Sequence, residues 1–537
     1  MRLIVCEKQV AAKRIAEILS DGKCATDGTK TVPYYVFPGF VVVGLSGHVF
    51  RVDFPDAYSS WSKVPLADLV NAQIIYAPDR ADIINLVKKL SKKADELVIA
   101  TDFDTEGESI GLEAKNIVYS VKELPVKRMH FSSITKEEII DSLANLSSLD
   151  VNLANSADAR REVDLVWGAV LTRFLSVSTR RLGKSYLSAG RVQSPTLSLI
   201  VEKEKERLKF VPEPYWEFIL NLADGFNAHY KERVFDVKLR DDLSALKPVS
   251  ALVSDVSVKE NVSQPPVPFN TTDFLRDAAK LGFSGVNAMR LAESLYLKGL
   301  ISYPRTDNQV YPESIKYKAI IESFRGTSYE PLLKFLKSPL SPTRGPKESK
   351  DHPPIHPTGM RPEGLDSSEL RVYDLVVRRF ISTFALDCVE ELTKAKFDVS
   401  GFTFVSDGYR IINPGWKGVY TFVLKSDNIL PSLSVGDSVK VDSIDVLSKE
   451  TQPPNRYGHG TIIKAMSDLE LGTKSTRPSI VQKLIERYYV FYSKSLAPTP
   501  VAMAVMGALD SYANIITEPS MTRELELDME SIATGGL

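Results

Sequence analysis

The run Thr101-Asp102-Phe103-Asp104-Thr105-Glu106-Gly107-Glu108 follows directly on an apolar stretch at residues 97–100. Side chains alternate along an extended segment, so Asp102, Asp104 and Glu106 share one face. Their mutual repulsion is relieved by a divalent cation, and an all-oxygen set suits Mg²⁺, which keeps several of its waters. An acidic, solvated loop has the same composition. Glu7 ends another apolar stretch, residues 2–6. If the two strands are neighbours, Glu7 points at the same acids, and like charges raise a carboxyl pKa. It could then serve as a general acid, although it fits equally as an ordinary helix N-terminal residue. Lys8 stands beside it with a charge for a phosphate. Far along the chain comes Tyr303-Pro304-Arg305. A phenol, with a pKa of about 10, is a poor nucleophile unless charge is arranged around it. Pro304 helps hold the segment extended, which places Arg305 on the side of Tyr303. A guanidinium can then pair bidentately with phosphate oxygens. By pattern alone, a buried tyrosine near a surface arginine is the commoner arrangement.

The elements that must position these groups are legible in outline. Residues 2–6 and 97–100 predict short buried strands, and residues 40–44 are β-rich. Residues 8–19 carry a helical stripe of Ala11, Ala12, Ile15, Ala16, Ile18 and Leu19, and residues 80–90 and 108–119 are also helical. Gly107 is read as a tight turn into the last of these. Strands alternating with helices predict an α/β domain with a parallel sheet over residues 1–140. Residues 150–210 are mostly helical, with seven basic against three acidic residues between Asn155 and Arg191; such a face is often simply solvated. Strand-like segments at 215–262 and 395–450 bracket a helical stretch, with Pro-rich boundaries at 264–268 and 452–454. Seven prolines between Pro339 and Pro362 predict a long irregular loop. From residue 461 the pattern is helical almost to the end. The domains read as 1–140; 141–214 with 456–537; 215–268 with 395–455, β-rich; and 269–394, helical and carrying Tyr303.

The pair of Glu7 with Asp102-x-Asp104-x-Glu106 resembles the Toprim domain of topoisomerases, primases and some nucleases. Ser302-Tyr303-Pro304-Arg305-Thr306-Asp307 is similar to the active-site signature of type IA DNA topoisomerases. Further segments match that family in order: Ser46-Gly47-His48-Val49, Ala159-Arg160-Arg161 with Asp164, Ser188 to Thr196, His352 to Thr358, Gln452 to Tyr457, and Gly472 to Pro478. The resemblance spans nearly the whole chain and is strongest to the archaeal branch. It implies a multidomain α/β and α+β protein: a Toprim domain, helical winged-helix-like domains and a β-rich arch, ring-shaped around a central hole. It implies that Tyr303 attacks a DNA phosphate to give a 5′-phosphotyrosyl link, with Glu7 protonating the departing 3′-oxygen. Lys8 and Arg305 would bind the phosphate and His352 would contact the same region. Glu7, Asp102, Asp104 and Glu106 would hold Mg²⁺. His48, Arg160, Arg161, Asp164, Ser188, Ala189, Gly190, Arg191, Val192, Gln193 and Arg305 would grip single-stranded DNA. Such an enzyme needs no ATP, acts as a monomer, and relaxes negative supercoils or unlinks DNA. His356 lies where the family varies and is left unassigned. Two departures stand out: Gln9 replaces a proline frequent in relatives, and the zinc-binding cysteine modules of many members do not occur within these 537 residues, whether the chain is naturally short or trimmed, which bears on processivity and strand passage. The rivals are a Toprim nuclease or primase, which needs no tyrosine, and an inactive DNA-binding scaffold.

Bulk properties add exclusions. With 67 basic and 68 acidic residues the net charge is −1, so DNA affinity must come from local clustering. Cys6, Cys24 and Cys388 form no CxxC pair, so a structural zinc site is not expected; Cys6 and Cys24 are expected as core thiols. No apolar run approaches the roughly 20 residues of a membrane helix, and the N-terminus lacks a signal-peptide core, so a cytoplasmic protein is expected. Gly183-Lys184-Ser185 resembles the end of a phosphate-binding P-loop, but the required earlier glycine is Ser178.

Overall fold

Leu3 to Cys6 and Leu97 to Ala100 are buried without alternation, as in strands covered on both faces. In the computed structural model, which describes residues 1–349 and 352–536, they lie parallel and adjacent, with Cys6 opposite Ala100. Residues 350 and 351 of the proline-rich loop, and Leu537, lie outside the described residues. The sheet runs Ala25–Gly28, Pro33–Phe37, Phe40–Gly44, Arg2–Cys6, Glu96–Ala100, Val126–Arg128. Its last four strands are parallel and its first three are joined antiparallel. Because the two central strands end level, Glu7 and the acidic run leave the sheet at the same edge. The first helix, Gln9–Leu19, sits tightly over it: a Cβ on Gly44 would meet Gln9 backbone at 2.7 Å.

The helix after the acidic run, Thr105–Tyr119, starts three residues before its sequence-based position. The cause is Asp104, whose carboxylate accepts the Gly107 N–H at 2.8 Å and so caps the helix. Glu106 therefore stands on the first helical turn and not on an extended face shared with Asp102 and Asp104. Gly107 serves close approach and not a turn: a Cβ there would come within 1.9 Å of the Asp102 carbonyl oxygen. Cys6 is fully buried as expected, whereas Cys24 is only half-buried.

Beyond this unit, the long helix Val151–Ser178 packs on Thr105–Tyr119 and on the last helix, Pro519–Thr534. Six antiparallel strands close a barrel in the order Phe226–Tyr230, Phe402–Asn413, Cys388–Val399, Ser250–Ser263, Ser438–Glu450, Pro214–Leu222. Between its two chain segments lie the helices Thr271–Lys280, Gly285–Leu297 and Ser367–Ser382. The boundary read at residue 395 falls inside the strand Cys388–Val399. Glu390 hides the strand's start, because it is a buried acid on the face opposite Ala395 and Phe397, satisfied by Tyr409, Lys417 and Asn261. The boundary at 140 likewise falls inside the helix Lys136–Ala144. The C-terminal helical stretch is broken by a hairpin of Val490–Tyr492 with Leu496–Pro498. No described helix is long and apolar enough to cross a membrane.

Arg128, fully buried, fastens the acidic loop to the sheet. Its guanidinium donates to the carbonyls of Thr101, Asp102 and Met129 at 2.7–2.8 Å, and to Glu108 at 2.6 Å. Removing one member of a buried pair strands the other charge, so Arg128→Met should cost about 3–5 kcal/mol. Urea denaturation should show it, and Arg128→Met combined with Glu108→Leu should recover much of the loss.

Candidate active site

Tyr303 follows the helix Gly285–Leu297 in a segment pinned by the Tyr303 N–H to the Ser132 carbonyl at 2.7 Å and by Ser302 N–H to the His356 carbonyl at 2.9 Å. Its phenol donates to Asp104 Oδ2 at 2.6 Å across 199 positions of sequence. The ring is 1% exposed. It packs edge-on against Tyr296, centroids 5.1 Å apart, and against His352 at 4.6 Å. Burial and the adjacent Asp104 carboxylate push the phenol's pKa well above its ordinary value, while Arg305 pulls it down. Burial also works against an ionised Asp104, but Arg305, the Tyr303 hydroxyl and the Gly107 N–H outweigh it and hold this carboxyl below the usual range.

The remaining charges interlock. Lys8 Nζ sits between Glu7 Oε1 at 3.2 Å and Asp102 Oδ2 at 3.3 Å. The second Asp102 oxygen accepts from Tyr296 at 3.0 Å. Burial, and then the Asp102 charge, push the Glu7 carboxyl up to about 8, against the pull of Lys8. Arg305 bonds Glu293, lies 3.7 Å from Glu106, and keeps a buried Nε with no partner among the described residues. His352 meets Ser132 Oγ through Nδ1 at 3.0 Å. Structure thus brings Glu7, Lys8, Asp102, Asp104, Tyr303, Arg305 and His352 together, while the Glu106 side chain is 54% exposed at the margin. His356, left unassigned, bonds the Pro357 carbonyl, and burial lowers its pKa to about 4.

The acids do not converge as metal ligands. Among the described residues, no group of three or more His, Cys, Asp or Glu side chains is arranged to hold an ion. Lys8, Tyr296 and Tyr303 already occupy the carboxylate oxygens. The donor set still fits a hard cation, since it is all oxygen and its excess negative charge shows in the raised Glu7.

The expected DNA-gripping residues are tied down by acids that the sequence did not single out. Glu113 accepts from Arg161 at 2.8 Å and from Val49 N–H at 3.0 Å, and lies 2.9 Å from His48 Nδ1. Glu526 of the last helix takes Arg160 at 2.6 Å and Arg191 at 2.7 Å; Arg191 is buried and also held by Asp164. Gln193 folds back onto Ser188 Oγ at 3.0 Å. Ala189 and Val192 are buried, and Gly190 has φ below zero with ordinary contacts. A groove of about 690 Å³ joins His48, Arg160, Arg161 and Asp164 to Asp104 and Glu106. Tyr296, Glu113 and Glu526 carried no sequence signal, as each acts through partners far away in the chain, and Glu293 meets Arg305 only where the fold turns the intervening segment back.

A phenol set among the acids of a Toprim-type sheet edge, beside a groove that mixes arginines with acids, defines a DNA topoisomerase. The DNA topoisomerase family profile matches residues 148–537, and the Toprim domain profile matches residues 2–134. DNA topoisomerase 1 of Thermoplasma acidophilum is 41% identical over 99% of this chain and 70% of its own length; that of Archaeoglobus fulgidus is 41% identical over 99% and 80%. The solved structure of full-length topoisomerase I from Thermotoga maritima superposes with a TM-score of 0.79 at 27% identity, covering 99% of this chain and 87% of that one. The chain belongs to the type IA DNA topoisomerases, and its Toprim domain is of a metal-binding kind.

The raised Glu7 pKa gives a pH signature. The native state keeps a proton that the unfolded chain releases near 4.5, so Glu7's contribution is full below about pH 4.5 and is lost as pH rises through about 8. Melting temperatures of wild type and Glu7→Gln in chelator should therefore diverge over that window, with wild type falling relative to the variant. A pH-independent gap would show that Glu7 is not held protonated.

Proposed function

We propose that Tyr303 is the nucleophile of this topoisomerase and that the residues around it divide the proton and charge handling. The phenolic oxygen attacks a backbone phosphate in line, its proton passing to Asp104, which already accepts it at 2.6 Å. The bond from phosphorus to the 3′-oxygen breaks, and Glu7 delivers its proton to that oxygen; for resealing it takes the proton back. The link left on the enzyme is a 5′-phosphotyrosine, which conserves the phosphodiester energy, so no ATP is needed. Lys8 and Arg305 hold the phosphate. The unpartnered, buried Nε of Arg305 supports this, since an unsatisfied buried donor costs about 1–3 kcal/mol that a phosphate oxygen would relieve. His352 contacts the same phosphate region. Mg²⁺ held by Asp102, Asp104 and Glu106, with Glu7 beside them, would supply positive charge that positions the bent backbone and aids resealing. Binding at Asp104 competes with the Tyr303 hydrogen bond.

His48, Arg160, Arg161, Asp164, Arg191 and the 188–193 loop line or brace the path of a single strand through the groove. The barrel and the helical insertion it carries are read as the arch and gate of a ring with winged-helix-like walls, a reading supported by the likeness to the Thermotoga maritima enzyme. The same reading takes the protein as a cytoplasmic monomer acting on underwound or single-stranded DNA.

The observation that carries this proposal is the convergence of Tyr303 with Glu7, Lys8, Asp102 and Asp104, which a nuclease or primase would not need. Relaxation of negatively supercoiled plasmid with Mg²⁺ and no ATP should fall by roughly 10³-fold or more in Tyr303→Phe. Relaxation retained by that variant overturns the assignment. A nuclease would nick in both proteins, and a scaffold would act in neither.

A further inference from the structure

The hairpin of Val490–Tyr492 and Leu496–Pro498 presents aromatic rings to solvent that no core requires. Tyr488 is 81% exposed, Phe491 62% and Tyr492 43%. Tyr488 sits at φ 58° as the left-handed residue that ends the helix Arg477–Glu486, with the Tyr489 N–H returning to the Leu484 carbonyl at 3.0 Å, which turns its ring outward. The neighbouring Tyr489 does the structural work: it is buried, and its hydroxyl donates to the Ser188 carbonyl at 2.8 Å. The exposed rings are therefore fixed to the 188–193 loop that the proposed function assigns to the DNA path. Residues 483–494 carry Lys483, Arg487 and Lys494 against the single acid Glu486.

Two cavities that share Asp164 lie between Asp104, the Tyr303 partner, and Tyr186. The groove holding Asp104, Arg160 and Arg161 shares Asp164 with a second cavity of about 760 Å³, lined by Trp61, Arg173, Tyr186 and Ser188. At its far wall the Tyr186 ring lies edge-on to Trp61, centroids 5.7 Å apart, and is covered by the Arg487 guanidinium at 4.2 Å. Arg487 is the residue before Tyr488. Exposed aromatics interleaved with cations, at the open end of a strand-sized groove, suit unpaired bases: every base has a face to stack, and cations track the backbone.

We propose that Tyr488 and Phe491 form an outer stacking platform that continues the single-stranded DNA path beyond the groove. The proposal rests on the groove reading above. Stacking needs the ring and not the hydroxyl, and its loss should spare the salt dependence set by phosphate contacts.

The test is anisotropy with oligodeoxythymidylates of about 8 and about 24 nucleotides, lengths within and beyond the roughly 4–16 nucleotides that single-strand-binding OB folds cover. Wild type should bind the longer strand tighter. In Tyr488→Ala/Phe491→Ala the ratio of the two affinities should fall by about tenfold, with the salt slope kept. Tyr488→Phe/Phe491→Tyr should keep the ratio. A ratio that survives the alanine pair, as expected if the hairpin docks a protein instead, overturns the platform, as does a ratio lost in the conservative pair. Wild type that forms no covalent adduct with either oligonucleotide would instead sink the groove reading itself.

Discussion

One hydrogen bond, from the Tyr303 phenol to Asp104, joins the two halves of the catalytic machinery. Asp104 belongs to the edge of the N-terminal sheet and Tyr303 to the helical insertion carried by the barrel. The bond satisfies a buried phenol and, together with Arg305, keeps a buried carboxylate ionised. It also leaves the Tyr303 ring 1% exposed, so on the proposed mechanism a DNA strand would reach it only when the two halves part. Closure and catalysis thus draw on the same few atoms.

That bond is affordable because the surrounding charges are nearly balanced. Glu7, Asp102, Asp104 and Glu106 leave one sheet edge together, which the level ends of the strands Arg2–Cys6 and Glu96–Ala100 impose. Lys8 bridges two of the acids, Tyr296 donates to one, and Arg305 faces two more, Glu106 and Glu293. The remaining excess is absorbed as a proton on Glu7. The groove follows the same logic. Glu113 gathers Arg161 and His48, and Glu526 gathers Arg160 and Arg191, so the arginines are preset before DNA arrives. On the proposed reading a DNA phosphate would compete with these carboxylates for the arginines.

Local pattern made the sheet edge readable. Unbroken apolar runs gave the two strands, and Glu7 and Asp102 directly after them gave the acids. Pattern also suggested that β segments bracket the Tyr303 insertion, and strands from both segments close the barrel. It misplaced Glu106, because an extended register was assumed where Asp104 caps a helix. It missed the start of Cys388–Val399, because a buried Glu390 satisfied by distant partners looks polar in sequence. Tyr296, Glu293, Glu113 and Glu526 were invisible for the same reason: what they do depends on residues brought near only by folding.

The central claim is that one of two adjacent phenols, Tyr303 and not Tyr296, carries the broken strand. Protease digestion of the covalent complex, followed by mass spectrometry of the nucleotide-bearing peptide, tests it directly. The account predicts a phosphodiester on Tyr303, joined to the 5′ end of the downstream fragment. A nucleotide on Tyr296, or one joined through a 3′-phosphate, would contradict it.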